Sequence, residues 1–187
     1  MDSLQNHLLI AMPTLRDPHF SRTVTYICDH SASGAFGLII NQPSPINLGE
    51  LLQQVEQVEP SDLARELRER TVFSGGPVNP ERGFVIHNGD NSYASSARMT
   101  DEIAVTTSRD ILQALAKGDA PEKFLVALGY AGWGPGQLDS ELANNSWITI
   151  PAEPALIFDT PISERWQKAA ARLGIDLWSI APDVGHA

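Results

Sequence analysis

Three strand-like segments follow one another closely near the start of the chain, and their spacing constrains the fold more than any other feature. They are Leu8–Met12, Thr23–Cys28 and Phe36–Ile40, each rich in apolar or β-branched residues. Parallel neighbours need a long crossover, usually a helix, whereas antiparallel neighbours need only a turn. Because the connections here are too short for helical crossovers, we expect these three strands to pair antiparallel.

Helical patterns interrupt the later strands without regular alternation, which argues against a doubly wound parallel sheet. Asn47 is predicted to cap the first helix, and Thr107-Ser108-Arg109-Asp110 predicts a capping box ahead of another. The sequence therefore predicts a mixed α+β fold built on antiparallel strands. The later strand-like segments are Thr71–Phe73, Gly83–His87, Glu102–Thr106, Phe124–Tyr130, Trp147–Ile150 and Ala155–Phe158.

The length of the chain is that of one domain. Its 187 residues are 42% hydrophobic, enough to bury a sizeable core. The sequence shows no internal repeat, no low-complexity linker and no clear boundary. We therefore expect a single domain over residues 1–187.

The formal net charge of −10 disfavours direct binding to nucleic acid. The densest basic stretch, residues 64–70, interleaves arginine with glutamate, as on a solvated helix face. The one adjacent pair of predicted helices, near Leu48–Glu69, is mostly acidic and lacks the basic second helix of a helix-turn-helix. We expect no direct nucleic-acid partner.

The N-terminal sequence and the cysteine content favour the cytoplasm. The chain begins without a basic segment, and its apolar run Leu8–Met12 is too short for a signal peptide or a membrane span. Cys28 is the single cysteine and has no intrachain disulfide partner. We expect a cytoplasmic protein with no membrane association.

The most unusual passage is Gly129–Pro151, which combines glycines, two tryptophans and a short acidic helix. Gln137 and Glu141 are four residues apart, so one helix face can present both, and Trp133 could form a wall of a pocket beside them. Alternatively, the glycines permit tight turns, the tryptophans fill space and Gln137 bonds loop backbone. The acidic first turns disfavour a phosphate site. The scaffold interpretation is favoured over the ligand site.

The sequence Ser74-Gly75-Gly76-Pro77 predicts a sharp turn. Successive N–H groups at Gly75 and Gly76 could form a nest for an anion. A simple chain reversal is the more common use of such a sequence. Gly75 and Gly76 are therefore candidates for a ligand or partner surface.

Cys28 is the residue best able to do chemistry. It lies near the end of a predicted strand, with Asp29 beside it and His30 two residues away. A neighbouring negative charge discourages thiolate formation, so a buried, inert thiol is the favoured interpretation. An accessible thiol that senses oxidants or accepts a thiol adduct is the alternative, and a catalytic cysteine ranks third.

The sequence contains no complete catalytic or metal-binding pattern, so we predict no catalytic residue, no metal ligand and no cofactor. Neither HxxxH nor CxxC spacing is present, and there is no GxSxG elbow. The phosphate-binding patterns GxxxxGK[ST] and GxGxxG are also lacking. The five histidines are scattered: His7, His19, His30, His87 and His186.

Several spaced motifs, in one order, resemble the bacterial AlgH/YqgE family over nearly the whole chain. They are LLIAMPTLRDPHFSRTVTYICDH (Leu8–His30), GAFGLIINQP (Gly34–Pro43), FSGGPV (Phe73–Val78), LGYAGWGPGQLDSELANNSW (Leu128–Trp147) and LGIDLWSIAPDVGHA (Leu173–Ala187). The resemblance implies an α+β fold in which antiparallel sheets bend into a pseudo-barrel with helices packed outside. It also implies that residues 1–187 form a single AlgH/YqgE-like domain.

The resemblance implies no particular activity. The AlgH name associates the family with regulation of alginate production, and its members are often described as transcriptional regulators. Together with the charge, this favours an indirect, non-enzymatic regulatory or adaptor protein that acts through a protein partner or a small ligand. The alternative function is a redox-responsive protein that uses Cys28.

Overall fold

A computed structural model describes residues 2–89 and 92–180 of the chain. These residues form ten strands: β1 (His7–Ala11), β2 (Val24–Ser31), β3 (Gly34–Ile39), β4 (Pro43–Asn47), β5 (Thr71–Ser74), β6 (Val78–His87), β7 (Ser96–Arg98), β8 (Ala104–Thr106), β9 (Phe124–Trp133) and β10 (Trp147–Pro151). They also form seven α-helices: α1 (Leu48–Glu56), α2 (Arg65–Arg68), α3 (Asp110–Ala116), α4 (Gln137–Ala143), α5 (Pro154–Phe158), α6 (Arg165–Ala171) and α7 (Leu177–Ile180). Short 3-10 helices occupy Pro60–Asp62 and Ile162–Glu164.

The chain divides into two compact units. Unit 1 comprises Met1–Asn41 and Ala131–Ala187, and unit 2 comprises Gln42–Tyr130. The expectation of one family-like domain over residues 1–187 stays a prediction. Each unit has its own sheet and its own apolar core.

In unit 1 the strands run in the order β10-β1-β2-β3, followed by the last residues of β9, and every pair is antiparallel. The first three strands therefore pair as their spacing predicts. Helix α6 contacts β1 and β2. Its Trp166 donates an indole N–H to the Ala11 carbonyl at 2.8 Å, and its buried Arg165 donates to the Ile40 carbonyl. One core cluster of this unit contains Leu9, Ala11, Ile27, Ala131, Trp133, Leu138 and Trp147.

In unit 2, β9 pairs in parallel with β5 and antiparallel with β6, which continues to β8 and β7. Helix α1 begins where the sequence predicts, because the Asn47 side chain accepts the Glu50 N–H at 2.9 Å. Arg70 stacks over the Phe124 ring, with its guanidinium carbon 4.0 Å from the ring centroid. The core of this unit contains Leu48, Leu51, Leu52, Leu63, Val72, Val85, Ile111, Leu115, Phe124 and Val126.

The fold class expected from the sequence, α+β on antiparallel sheets, is confirmed, and two local predictions are wrong. Residues Ala155–Phe158 lie in helix α5 rather than in a strand, because Pro154 opens a helical first turn. The capping box at Thr107–Asp110 does not form. Its two side chains bond to the loop before β7 instead, Thr107 to Ser95 and Asp110 to the Ala94 N–H.

Two stretches of glycine backbone lie in direct contact in unit 2. A Cβ atom at Gly75 would lie 2.4 Å from the Gly129 carbonyl oxygen, and a Cβ atom at Gly129 would lie 2.5 Å from the Gly76 carbonyl oxygen. Gly129 also has a φ of +76°, which side-chain-bearing residues rarely adopt. Only glycine therefore fits at these positions.

Gly75→Ala is expected to destabilise the protein by about 1–3 kcal/mol, because the new methyl group would meet backbone that has no room to move. Gly83→Ala is the matched control, since the nearest atom to a Cβ there, apart from the adjoining residues, is Leu128 Cδ2 at 4.0 Å. Urea unfolding of both variants measures the difference. Equal stability of the two variants would contradict the close contact.

Candidate functional site

Trp133 and Trp147 of the Gly129–Pro151 passage pack with Phe20 in unit 1. We call these three aromatic residues, together with the neighbouring Glu141, the Trp cluster. The two indole rings are 6.3 Å apart between centroids and nearly perpendicular. Phe20 lies 5.9 Å from Trp133 and 5.6 Å from Trp147. Both tryptophans are buried, so the rings pack against each other and fill the space between the strand ends and α4.

Glu141 projects from α4 toward both tryptophans. Burial raises the pKa of its carboxyl group, the Trp133 side chain lowers it by hydrogen bonding, and the charge of Asp17 raises it. The net direction is upward. The folded protein therefore favours the neutral acid at Glu141 more than the unfolded chain does.

A histidine–aspartate pair joins β2 to α4: His30 lies in β2, and Asp139 lies in α4 two residues before Glu141. The Leu4 N–H donates to His30 Nδ1 at 3.0 Å, so a neutral imidazole carries its proton on Nε2. That atom lies 3.2 Å from Asp139 Oδ1. His30 is thus engaged by the N-terminal segment and by α4, an arrangement that ties these elements together.

Gln137 does not point to Glu141. Its side-chain oxygen accepts the Gly134 N–H at 3.0 Å and closes the turn that leads into α4. This is the bond that the scaffold interpretation anticipates. A ligand role for Trp133, Gln137 or Glu141 stays a prediction.

Gly75 and Gly76 lie in unit 2, directly after β5. The Gly75 N–H donates to the Leu128 carbonyl at 2.8 Å, and the preceding Ser74 N–H donates to the Gln42 carbonyl at 2.8 Å. The Gly75 donor that an anion nest would use is therefore engaged by backbone. A role for these glycines in a partner surface also stays a prediction.

Cys28 lies at a bulge in β2, where the pairing register with β3 shifts between Ile27 and Asp29. Only 2% of Cys28 is exposed. Burial, and secondly the charge of Asp29, raise the pKa of its thiol far above the ordinary value. These are the properties of an inert core thiol, and they give no support to the redox alternative.

The sequence interpretation missed a cavity of about 140 Å³ in unit 2. Its apolar wall combines both core helices with the sheet: Leu51, Val55, Val85, Ile111, Leu112, Val126 and Leu128. Its other side is formed by the consecutive residues Thr106, Thr107, Ser108 and Arg109, with Glu81, Gly83 and Phe84. The hydroxyl-rich run after β8 was the one signal in the sequence that could have drawn attention to it.

Among residues 2–89 and 92–180, no group of three or more histidine, cysteine, aspartate or glutamate side chains is arranged to hold a metal ion. His186 lies outside the described residues. Within those same residues, none of the helices combines the length and apolar character needed to cross a bilayer.

Cys28 is expected to react with a thiol reagent such as Ellman's reagent only after denaturation, because the folded protein hides the sulfur and disfavours its thiolate. Absorbance stopped-flow with and without guanidinium measures this. A control variant, Ser92→Cys, places a thiol at an exposed site and should react at once. Reaction of native Cys28 at a rate near that of the control would restore the redox hypothesis.

Glu141→Gln is expected to raise the melting temperature at pH 7 and to lose this advantage as the pH falls toward 4.5, the ordinary value for glutamate. The sign follows from the raised pKa, because ionised Glu141 is less favourable in the folded state than in the unfolded state. Glu122→Gln, at an exposed turn, reports the effect of removing one charge from an acidic protein. Calorimetry across this pH range measures both variants. Destabilisation by Glu141→Gln at pH 7 would mean that hydrogen bonding from Trp133 stabilises the Glu141 carboxylate by more than its burial costs.

The chain is similar to known proteins over nearly its whole length. The AlgH-like family model matches residues 8–178. A UPF0301 protein of Idiomarina loihiensis is 56% identical over 187 residues, covering the whole of both chains. The solution structure of the AlgH protein from Pseudomonas aeruginosa has a TM-score of 0.79 and 46% identity, covering 99% of this chain and 96% of that one.

A crystal structure of a protein from Corynebacterium diphtheriae has a TM-score of 0.73, covering 97% of this chain and 93% of that one. At 20% identity, this likeness concerns the fold alone. The family match and the close relatives both extend over nearly the whole sequence. The chain therefore belongs to the AlgH-like family.

Proposed function

We propose that this protein is a cytoplasmic regulatory or adaptor protein that responds to a small ligand bound in the cavity of unit 2. The cavity is the observation that carries the proposal. The cavity of about 140 Å³ lies between both helices and the sheet. It opens to the surface at Glu81, Thr107 and Arg109, which are exposed, so a small molecule can enter it from solvent.

The size of the cavity limits the ligand. An apolar cavity of about 150 Å³ is large enough to hold benzene. Drug-sized ligands and cofactors occupy larger clefts, from about 300 Å³ upward. The proposed ligand is therefore a small molecule with a body close to that of one six-membered ring.

The position of the cavity offers a route from ligand to partner. Leu51 and Val55 of α1 line one side, and Ile111 and Leu112 of α3 line another. The two helices are also joined at the surface, where Arg109 Nε lies 2.7 Å from Glu56 Oε1. A ligand that fills the cavity adds contacts to both helices and suppresses their local opening. A protein partner that binds the surface of α1 and α3 would sense this change.

Direct reading of DNA is not part of the proposal. Beyond the net charge of −10, the helix that would follow α1 in a helix-turn-helix is α2, which has only four residues. Arg65 in α2 lies 3.2 Å from Glu69. Regulation through protein contacts fits this surface better than regulation at a DNA groove.

Benzene and phenol at millimolar concentration are expected to shift the methyl resonances of Val85, Ile111 and Val126 in unit 2, but not that of Val24 in unit 1. The same probes should slow amide hydrogen exchange in α1 and α3, because the occupied cavity holds these helices more firmly. Methyl NMR and hydrogen exchange measure the two effects.

Val126→Ile is the blocking variant, since its extra methyl group occupies part of the cavity. It should weaken the binding of both probes by on the order of tenfold or more. Val72→Ile is the matched control. Val72 pairs directly with Val126 across the β5–β9 ladder but does not line the cavity. If neither benzene nor phenol binds, the proposal is wrong. Turnover of a small molecule that is lost in Val126→Ile alone would replace the regulatory role with an enzymatic one.

A further inference from the structure

We infer that the cavity of unit 2 selects a ligand that donates hydrogen bonds from its polar end, such as a phenol or a small amine, over one that only accepts them. This inference rests on the proposed function and specifies its ligand. It follows from the direction of the hydrogen bonds along Thr106, Thr107 and Ser108, the three hydroxyl-bearing residues that line one side of the cavity. We call these three residues the hydroxyl rim.

The proton of Thr106 is fixed by a buried histidine. His87 Nδ1 lies 2.7 Å from the carbonyl oxygen of Asn88, and a carbonyl only accepts, so Nδ1 carries a proton. In the neutral imidazole, Nε2 is then an acceptor. Thr106 Oγ1, which lies 2.7 Å from Nε2, must donate to it.

The next hydroxyl group in this chain follows the same direction. Ser96 Oγ lies 2.5 Å from Thr106 Oγ1. Since the Thr106 hydroxyl group already donates its hydrogen bond to His87, Ser96 is the donor and Thr106 the acceptor in this second bond. Thr106 therefore has no proton to offer to a ligand and keeps one lone pair.

The other two hydroxyl groups of the rim also use their hydrogens in hydrogen bonds within the protein. Thr107 Oγ1 donates to Ser95 Oγ at 3.0 Å, and Ser108 Oγ donates to Asp110 Oδ1 at 2.5 Å. The Ser108 oxygen accepts the Ser95 N–H at 2.9 Å and keeps one lone pair, whereas the Thr107 oxygen keeps two. None of the three hydroxyl groups of the rim therefore has a hydrogen left to donate, and each oxygen can only accept a further hydrogen bond.

The charged residues at the cavity have both signs. Arg109 is the cation among the lining residues; its guanidinium donates to the Glu56 carboxylate and to the Val55 carbonyl, and Glu56 offsets its charge. Glu81 lines the cavity with a carboxylate. At the hydroxyl rim and at Glu81 a ligand carboxylate would meet lone pairs and negative charge, whereas an O–H, N–H or ammonium group would meet acceptors.

Phenol, toluene and pyridine test the inference, because they share a ring of similar size and differ in the polar group. Phenol is expected to bind at least as tightly as toluene, although its hydroxyl group must leave water. Burying a hydroxyl group without a partner is costly, so this ranking requires an acceptor in the cavity. Pyridine, whose nitrogen only accepts, is expected to bind at least tenfold more weakly than phenol, on the order of one lost hydrogen bond. Methyl NMR titration gives the three dissociation constants.

Thr107→Val and Ser108→Ala locate the acceptor. One of these variants should weaken the binding of phenol by roughly tenfold and leave the binding of toluene unchanged, because toluene makes no hydrogen bond to the substituted hydroxyl group. Thr71→Val, a half-buried threonine of β5 outside the cavity, is the matched control. Toluene binding in every variant shows that the cavity remains intact.

The possible failures are distinct. If none of the three probes binds, the proposed function fails together with this inference. If toluene binds and phenol binds tenfold more weakly, or pyridine equals phenol, the cavity is a ligand site but the donor preference is wrong. If phenol ranks first and neither Thr107→Val nor Ser108→Ala weakens its binding, the assignment of the acceptor to Thr107 or Ser108 is overturned.

Discussion

The sheet of unit 2 depends on a contact between two backbones that carry no side chains. Gly75 follows the last residue of β5, and its N–H group extends the parallel ladder by bonding to the Leu128 carbonyl at 2.8 Å. The same contact places the Gly129 carbonyl where a Cβ atom of residue 75 would be. Since Val126 and Leu128 line the cavity from this stretch of β9, the shape of the cavity depends on the glycine contact as much as on its own side chains.

The features that the sequence predicts correctly are local. Asn47 caps α1 with a side chain that reaches only three residues ahead, and the first three strands pair because short turns leave few other arrangements. The capping box at Thr107–Asp110 has equally good local chemistry, yet its side chains bond to Ala94 and Ser95 instead. A partner more than ten residues away cannot be read from a four-residue pattern. Strands β4 and β7 were missed for a related reason, since short segments with proline or polar residues lack a periodic signal.

The candidate sites differ in how clearly the sequence marks them. Trp133 and Trp147 attract attention in the sequence, and in the structure they pack on each other and on Phe20. The cavity, by contrast, takes half of its lining from leucine, isoleucine and valine residues of α1, α3 and the two strands β6 and β9. Such residues are common in every core, and nothing in their spacing distinguishes a filled interior from an unfilled one. The position of the cavity therefore had to come from the folded arrangement.

The hydrogen bonds of Thr106 take their direction from a single acceptor. The Asn88 carbonyl obliges His87 to donate from Nδ1, and in the neutral imidazole this choice sets the direction of each hydrogen bond as far as Ser96. Thr107 and Ser108 are acceptors for a separate reason, because their hydroxyl groups donate to Ser95 and Asp110. Many small metabolites are carboxylates or phosphates, and a rim of acceptors in a protein of net charge −10 disfavours them. A regulatory site with this chemistry would respond to the minority of small molecules that combine an apolar ring or chain with a donor group.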